Sequence, residues 1–204
     1  MYHTLKQLLF LSMKKLINEE FIEAREVIDS SINNLISDIE TLSRKIISSI
    51  ENGQKILIMG NGGSASDAQH FSAELLGKYH KVRKPLPAIS LNSDTSTLTC
   101  IANDFGFEYL FSRQIEALAV DNDIVIGIST SGKSENILNG LIKAKKMNCF
   151  TVLLTGERDL TNNSFMDLVL KAKSKNTARI QEVHGLIIHI LCKLIDEDIS
   201  LRDT

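Results

Sequence analysis

The sequence predicts an α/β fold: a doubly wound, mainly parallel five-stranded sheet flanked by helices, with long N-terminal helices. Two observations carry this prediction. Short apolar segments alternate with longer segments whose apolar residues recur at helical spacing, which is typical of repeated βα units. The apolar segments are nearly continuous rather than alternating, as is typical of strands that are covered on both faces. The five predicted strands span residues 55–59, 87–91, 123–128, 150–154 and 167–170.

The N-terminal quarter of the chain is predicted to be helical. Residues 4–50 contain neither proline nor glycine. Their apolar spacing favours one helix over 5–17 and a longer one whose apolar face covers 22–42. Asn52-Gly53 provides the signal that ends the second helix. The other predicted helical segments span residues 65–79, 94–102, 108–118, 134–147 and 177–198.

Size and composition favour an ordinary globular protein. A chain of 204 residues with 43% hydrophobic and 24% charged residues can form one domain, predicted over 1–204, with a full core. A formal net charge of −2 gives no basic surface for nucleic acid. No apolar run approaches the ~20 residues that span a bilayer, and no signal peptide is evident. We therefore expect neither a nucleic-acid nor a membrane partner.

The cysteines indicate the compartment. Cys100, Cys149 and Cys192 lie far apart within apolar segments. No C-x-x-C pair or zinc-knuckle spacing joins them. We predict three buried free thiols, which is typical of a reducing, cytoplasmic location.

Two polar loops follow predicted strands. The first, Gly60–Asp67, has glycines that permit positive φ, and its Ser64 or Ser66 is predicted to cap the next helix. The second, Ser129–Ser134, is rich in hydroxyl groups that suit a phosphate. Backbone N–H groups at a helix start attract anions, and ligands collect at the carboxyl ends of parallel strands. We therefore expect the two loops to hold one ligand between them.

The first loop also fits a loose dinucleotide-binding pattern. Gly60, Gly62 and Ala65 have G-x-G-x-x-A spacing. That pattern requires an acidic residue about 20 positions later to bind the ribose. The corresponding segment, residues 80–85, contains no acidic residue, so the nucleotide interpretation is disfavoured.

Two clusters of side chains could carry chemistry. Asp67, His70 and Glu74 share one face of the helix that begins at the first loop. A His–Glu pair at this spacing is more often a solvated surface pair. On the terminal helix, Gln181 and His189 lie about 80° apart around the axis and can reach one cavity. Because His189 stands in an apolar run, spacing alone favours a core histidine.

Four segments between about residue 50 and the C-terminus carry a resemblance to a known family. They are the loop and helix G-N-G-G-S-A-S-D-A-Q-H-F-S-A-E-L, the polar break I-A-N-D-F-G-F (otherwise only a turn), the loop I-S-T-S-G-K-S, and the tail R-I-Q-E-V-H…H-I-L. In this order they resemble the phosphoheptose isomerases of the sugar-isomerase (SIS) domain superfamily. The resemblance implies an aldose–ketose isomerase that converts sedoheptulose 7-phosphate to D-glycero-D-manno-heptose 7-phosphate, which supplies heptose for ADP-heptose and surface glycans.

The resemblance also assigns residues. The sugar is expected to contact Asn61, Gly62, Gly63, Glu74, Asn103, Asp104 and Gln181. The phosphate is expected to contact Ser129, Thr130, Ser131 and Ser134. One zinc ion per subunit is expected at His70, Glu74, Gln181 and His189. Glu74 and His189 are also the implied base and acid.

The implied chemistry suits these residue types. Isomerisation moves a proton between C1 and C2 through an enediol, which requires a carboxylate or imidazole near each carbon. A metal could stabilise the developing oxyanion. A glutamate bound to zinc is a weaker base, so the two implied roles of Glu74 compete. Lys133 stands where relatives often have asparagine and adds positive charge beside the phosphate.

The resemblance further implies a homotetramer. The N-terminal helices, residues 1–50, have more apolar surface than one sheet needs, which favours packing between subunits. Two alternatives stay open: a non-catalytic SIS protein that binds a replication initiator, and an isomerase of another sugar phosphate. The set of histidine, glutamate and glutamine side chains favours the enzyme over the binding protein. Length and fold do not separate heptose from hexose substrates.

Overall fold

The computed structural model describes residues 2–160 and 163–202 and confirms the predicted fold class. Five parallel strands form one sheet: β1 (Ile56–Gly60), β2 (Ala88–Ser90), β3 (Ile124–Ile128), β4 (Phe150–Gly156) and β5 (Leu168–Ala172). The spatial order is β2-β1-β3-β4-β5, with every neighbouring pair parallel. The strand positions agree with the prediction to within a few residues at each end.

The chain changes direction across the sheet between β1 and β3. It leaves β1 for the outer strand β2, returns to pair β3 against the other side of β1, and then continues outward. Ile56 pairs with Ile124 and Gly60 with Ile128, so the two strands end in register. The segments that follow β1 and β3 therefore leave the same sheet edge at the switch point, where ligands of such folds bind.

Helices cover both faces of the sheet. They are α1 (Tyr2–Glu51), α2 (Gly63–Leu76), α3 (Thr95–Asp104), α4 (Leu110–Leu118), α5 (Glu135–Lys146) and α6 (Thr177–Arg202). Successive strand residues point to opposite faces. Ile58 packs with Phe71 of α2 and Ile188 of α6, whereas Leu57 packs in a second cluster with Phe111 of α4. Both faces of the sheet are thus buried, which explains the continuous apolar strands.

The N-terminal region is one helix, so the predicted division into two helices is wrong. The segment between the two predicted helices, residues 18–21, contains neither glycine nor proline, and nothing in it interrupts the backbone hydrogen bonds. Near the C-terminal end of α1, Leu42 and Ile46 are fully buried. Toward its start, Leu16 and Phe21 are 58% and 74% exposed. The core of the single chain therefore covers only the second half of this helix.

The cysteine prediction is correct in part. Cys100, Cys149 and Cys192 are all free thiols. Cys149 and Cys192 are buried, but Cys100 is exposed on α3, so the prediction that all three are buried is wrong. Among the described residues, no helix combines the length and apolar character needed to cross a membrane.

The buried histidine of α6 is His184. Its Nε2 lies 3.3 Å from the carbonyl oxygen of Thr155, to which it must donate, and its Nδ1 is buried without a hydrogen-bond partner among the described residues. Burial lowers the pKa of His184 to about 4, and the hydrogen bond to Thr155 opposes this only partly. The imidazole is therefore neutral in the folded protein at neutral pH.

Because His184 is neutral in the folded protein, we predict that the protein loses stability in mild acid. Between pH 6.5 and about 4, the unfolded chain binds a proton at this position that the folded chain does not, so stability falls as pH falls. The full difference corresponds to roughly 3 kcal/mol. We expect His184→Gln to reduce the drop in melting temperature between pH 7 and pH 5. An unchanged drop would show that His184 does not contribute to it.

Candidate active site

The two polar loops lie next to each other at the carboxyl edge of the sheet. The glycine loop, residues 61–63, follows β1, and the hydroxyl loop, residues 129–134, follows the adjacent β3. The side-chain amides of Asn61 and Asn136 exchange hydrogen bonds of 2.8 and 2.9 Å. Asn136 lies in the first turn of α5, so this pair ties the glycine loop to the helix that follows the hydroxyl loop.

A glycine begins α2, and the predicted capping by Ser64 or Ser66 is wrong. Gly62 is the N-cap residue, with a φ of 56°, and no side chain of the described residues caps the helix. This φ lies in the left-handed region, which glycine adopts without a steric penalty. Ser64 lies inside the first turn and is buried. Within the part of the chain that the structure describes, no side-chain oxygen therefore competes with a ligand for the N-terminus of α2.

Asn92 fixes the end of β1, although sequence reasoning does not identify it. Its Oδ1 accepts a hydrogen bond from the Gly60 N–H at 3.1 Å, and its Nδ2 donates to the Gly60 carbonyl at 2.8 Å. Gly60 has no room for a Cβ, which would lie 2.1 Å from the carbonyl oxygen of Ser64. An asparagine after a strand is an ordinary turn signal, so the sequence pattern does not distinguish this one.

The hydroxyl loop places oxygens at the start of α5. Gly132 turns the loop with a φ of 64°. The hydroxyl oxygens of Ser129 and Ser134 are 3.1 Å apart. Ser134 is the N-cap residue of α5, yet its side chain makes no capping hydrogen bond. Ser129 is buried, and the partly exposed hydroxyls belong to Thr130, Ser131 and Ser134. The loop thus combines hydroxyl donors with the positive end of a helix dipole, which suits an anion.

Three titratable side chains meet between α2 and α6. On α2, the Nε2 of His70 lies 3.3 Å from the Oε1 of Glu74. On α6, the His189 ring contacts the His70 ring edge to face, with 5.0 Å between ring centroids. His189 is exposed, so it is not the core histidine that spacing alone favoured. The structure therefore brings together chemistry from two helices that are far apart in the sequence.

Tyr79 extends this cluster, and no sequence pattern points to it. Its ring stacks on the His189 ring, with 5.9 Å between centroids and 25° between planes. Burial, the Cys192 thiol and the Glu74 carboxylate all raise the pKa of Tyr79. The phenol therefore stays protonated at neutral pH and can donate a hydrogen bond.

Gln181 lies at the other end of the same helix contact. A Cβ added to Gly63 of α2 would lie 2.4 Å from the Nε2 of Gln181. Gly63 begins α2, about two turns before His70. The four residues implied as zinc ligands are thus all at the contact between α2 and α6, with Gln181 at its glycine-loop end.

Asn103 and Asp104 occupy a different place. They form the exposed last turn of α3. Asn103 donates to the Asp104 Oδ1 at 2.7 Å, and the Cys100 thiol lies 3.5 Å from the Asp104 Oδ2. Within the described part of one chain, no side-chain hydrogen bond joins this pair to either polar loop. Their sugar contact therefore stays a prediction.

Asp67 adds a buried carboxyl oxygen beside the cluster. Burial raises the pKa of Asp67, and the neighbouring His70 opposes this rise. Its Oδ2 is buried and has no hydrogen-bond partner among the described residues. Asp67 shares a face of α2 with His70 and Glu74, as the sequence predicts.

The donor types at this contact are ordinary zinc ligands. Histidine nitrogen and glutamate oxygen bind zinc commonly, whereas a glutamine oxygen is a weaker ligand. Two imidazoles on one tetrahedral zinc have ring centroids about 5 Å apart, because each Zn–N bond is about 2.0–2.1 Å. The rings of His70 and His189 are 5.0 Å apart. Among the described side chains, however, no three His, Cys, Asp or Glu groups form a complete set around one point. The residue types and the spacing of the two rings fit a zinc site. In this structure, His70 is hydrogen-bonded to Glu74.

Comparisons with known proteins show which family the chain resembles. Residues 21–156 match the family model described as SIS domain. The chain is 50% identical over 188 residues to the phosphoheptose isomerase of Helicobacter pylori (strain ATCC 700392 / 26695), covering 92% of this chain and 98% of the relative. It is 46% identical over 188 residues to the phosphoheptose isomerase of Aliarcobacter butzleri, covering 92% of this chain and 100% of the relative.

A solved structure also matches nearly the whole chain. A phosphoheptose isomerase from Francisella tularensis superposes with a TM-score of 0.87 at 38% sequence identity, covering 91% of this chain and 98% of that one. The sequence and structural matches extend over nearly the whole chain and include both polar loops. The chain therefore belongs to the phosphoheptose isomerase family of the SIS-domain superfamily and is a sugar-phosphate isomerase.

Proposed function

We propose that the protein interconverts sedoheptulose 7-phosphate and D-glycero-D-manno-heptose 7-phosphate. The observation that carries this proposal is the meeting of Glu74 and His189 around His70, at the contact between α2 and α6. A carboxylate and an imidazole in one partly exposed volume are the groups that aldose–ketose isomerisation requires. The names of the close relatives support heptose as the sugar.

Glu74 and His189 divide the proton transfers between them. As the ketose reacts, Glu74 takes a proton from C1 while His189 donates one to the C2 carbonyl oxygen, which gives the enediol. Glu74 then returns its proton to C2, and His189 recovers one from the C1 hydroxyl, which becomes the aldehyde. Each group ends in its starting state, so no further acid or base is needed. Tyr79, stacked on His189, limits the orientations of that ring.

The hydroxyl loop binds the phosphate. The hydroxyl of Ser134 lies at the N-cap of α5 and that of Ser131 in the loop just before it, where the helix dipole favours an anion. Asn61, Gly62 and Gly63, with Gln181 beside them, face the sugar hydroxyls. The hydroxyl loop and the glycine loop thereby bind opposite ends of the substrate. This places C1 and C2 beside the proton-transfer groups, Glu74 and His189.

Zinc is part of the proposal. His70, Glu74, Gln181 and His189 would hold one ion per subunit, and it would supply Lewis-acid stabilisation of the developing oxyanion. Glu74 would serve either as a ligand of the ion or as the base at any one time, because coordination lowers its basicity. We expect elemental analysis of purified protein to find close to one zinc per chain. Full activity in chelated protein that contains no metal would leave Glu74 and His189 as base and acid alone.

We also infer a homotetramer. A cavity of about 830 Å³ opens between α1 and α6, and its lining combines aliphatic residues such as Ile36, Ile190 and Leu194 with polar and charged ones such as Glu40 and Arg44. Ile36 is 61% exposed and Leu194 is 40% exposed in the single chain. Exposed aliphatic side chains on adjacent helices, bordered by polar residues, are typical of subunit contacts. Light scattering should give four times the chain mass, and a monomer mass would contradict the inference.

We predict that Glu74→Gln and His189→Gln each reduce kcat with sedoheptulose 7-phosphate by about 10²–10⁴-fold. KM should change little, because the phosphate contacts are retained. Aldose formation is followed by NMR. The control is Glu197→Gln, an exposed carboxylate of α6 paired with Lys81 at the surface, which should keep wild-type kcat. Near-wild-type rates in either active-site variant would refute the acid–base assignment.

Gly63→Ala tests the placement of Gln181. The added Cβ would lie 2.4 Å from the Gln181 Nε2, so the glutamine side chain must move. We expect a loss of roughly 10–100-fold in kcat/KM, with little change in melting temperature, because alanine is a better helix former than glycine.

The matched control for this prediction is Gly53→Ala, where nothing lies within 4 Å but φ is +83°. That variant should lose stability and keep turnover. A Gly63→Ala enzyme with unchanged kcat/KM would show that the position of Gln181 is unimportant.

A further inference from the structure

A buried ion pair lies behind the proposed site. The Nε of Arg83 lies 2.6 Å from the Oδ1 of Asp196, and the two side chains are 2% and 1% exposed. Arg83 belongs to the segment between α2 and β2, whereas Asp196 lies on α6, about two turns beyond His189. Burial raises the pKa of Asp196, but hydrogen bonds from the His80 N–H and from Arg83 outweigh it and leave the pKa below its usual value. The carboxylate is therefore charged.

Arg83 also holds the C-terminal end of α2. Its Nη2 donates to the carbonyl oxygen of Glu74 at 3.0 Å, and its Nη1 donates to that of Leu75 at 2.8 Å. Carbonyls in the last turn of a helix lack partners within the helix, so this guanidinium satisfies two of them. One of the two belongs to the proposed base. Arg83 thus bonds directly to the backbone of Glu74.

Asp196 holds the segment that leads away from α2. Its Oδ2 accepts the backbone N–H groups of His80 and Lys81 at 2.9 and 3.1 Å. The preceding residue is Tyr79, whose ring stacks on His189. The carboxylate therefore connects α6 with the backbone beside the ring that packs on the proposed acid.

We propose that Arg83 and Asp196 are positioning residues that set the distance and orientation between Glu74 on α2 and His189 on α6. The inference rests on the proposed function, in which those two side chains act on one substrate. The two helices carry the base and the acid separately, and the Arg83–Asp196 pair joins them with fixed geometry. The planar guanidinium is suited to this, because its donors point in set directions toward Asp196, Glu74 and Leu75.

A second ion pair of the same construction provides a matched control. Asp123 is fully buried and accepts hydrogen bonds from the Lys55 Nζ at 2.6 Å, the Lys55 N–H at 2.9 Å and the Val120 N–H at 2.8 Å. Like Asp196, it is one carboxylate that binds one cation and two backbone N–H groups. It precedes β3, at the amino edge of the sheet, opposite the active site.

The experiment compares Asp196→Asn and Arg83→Lys with Asp123→Asn in the full-length protein. Melting temperatures are measured first, and kinetics with sedoheptulose 7-phosphate are then run well below the lowest of them. We expect Asp196→Asn and Arg83→Lys to lower kcat by about 10–100-fold with KM within twofold, because the hydroxyl loop is untouched. Asp123→Asn should lose melting temperature and keep kcat.

The milder Arg83→Lys variant keeps the test informative if Asp196→Asn does not fold. Lysine retains the charge but cannot reach Asp196 and both helix carbonyls together. Wild-type kcat in the folded Asp196 and Arg83 variants, with Glu74→Gln and His189→Gln inactive, would overturn the positioning role alone. Full activity of Glu74→Gln and His189→Gln would instead overturn the proposed function on which the role depends.

Discussion

The parallel, in-register pairing of β1 with β3 is the constraint on which the rest of the site depends. Because the chain visits β2 before it returns to β3, the two strands that precede the polar loops become neighbours. Their register, which ends at Gly60 beside Ile128, brings the glycine loop and the hydroxyl loop to one edge. The amide pair between Asn61 and Asn136 then joins them. The strand order thus makes the two candidate ligand loops neighbours.

Helix packing brings α2 and α6 together. α2 and α6 lie on the same face of the sheet and share one apolar core, in which Phe71 of α2 and Ile188 of α6 are both buried. Their polar faces then meet at His70 and His189. Apolar packing is weakly directional, so it determines that the helices are adjacent rather than how two side chains face each other. Directional hydrogen bonds, such as those of the Arg83–Asp196 pair, supply that further precision.

The sequence predicts the sheet and the loop positions well, because burial on both faces leaves continuous apolar runs and each loop has a distinct composition. It predicts less about local detail. A glycine with positive φ can begin α2 as well as a serine can, so the cap is not determined by residue type. Spacing within one helix also contains no information about a partner helix. The placement of Glu74 and His189 on either side of His70 could therefore be predicted only from the family resemblance. No sequence pattern indicates that Tyr79 belongs to the site.

The proposed function requires that Glu74 and His189 act together on one substrate. The most direct test is kcat of the Glu74→Gln/His189→Gln double variant beside both single variants. If the two groups serve one proton-transfer sequence, their effects are strongly non-additive, and the double variant should be within about tenfold of the more impaired single variant. Losses that multiply fully in the double variant would contradict the claim, because they would mean that the two side chains contribute independently.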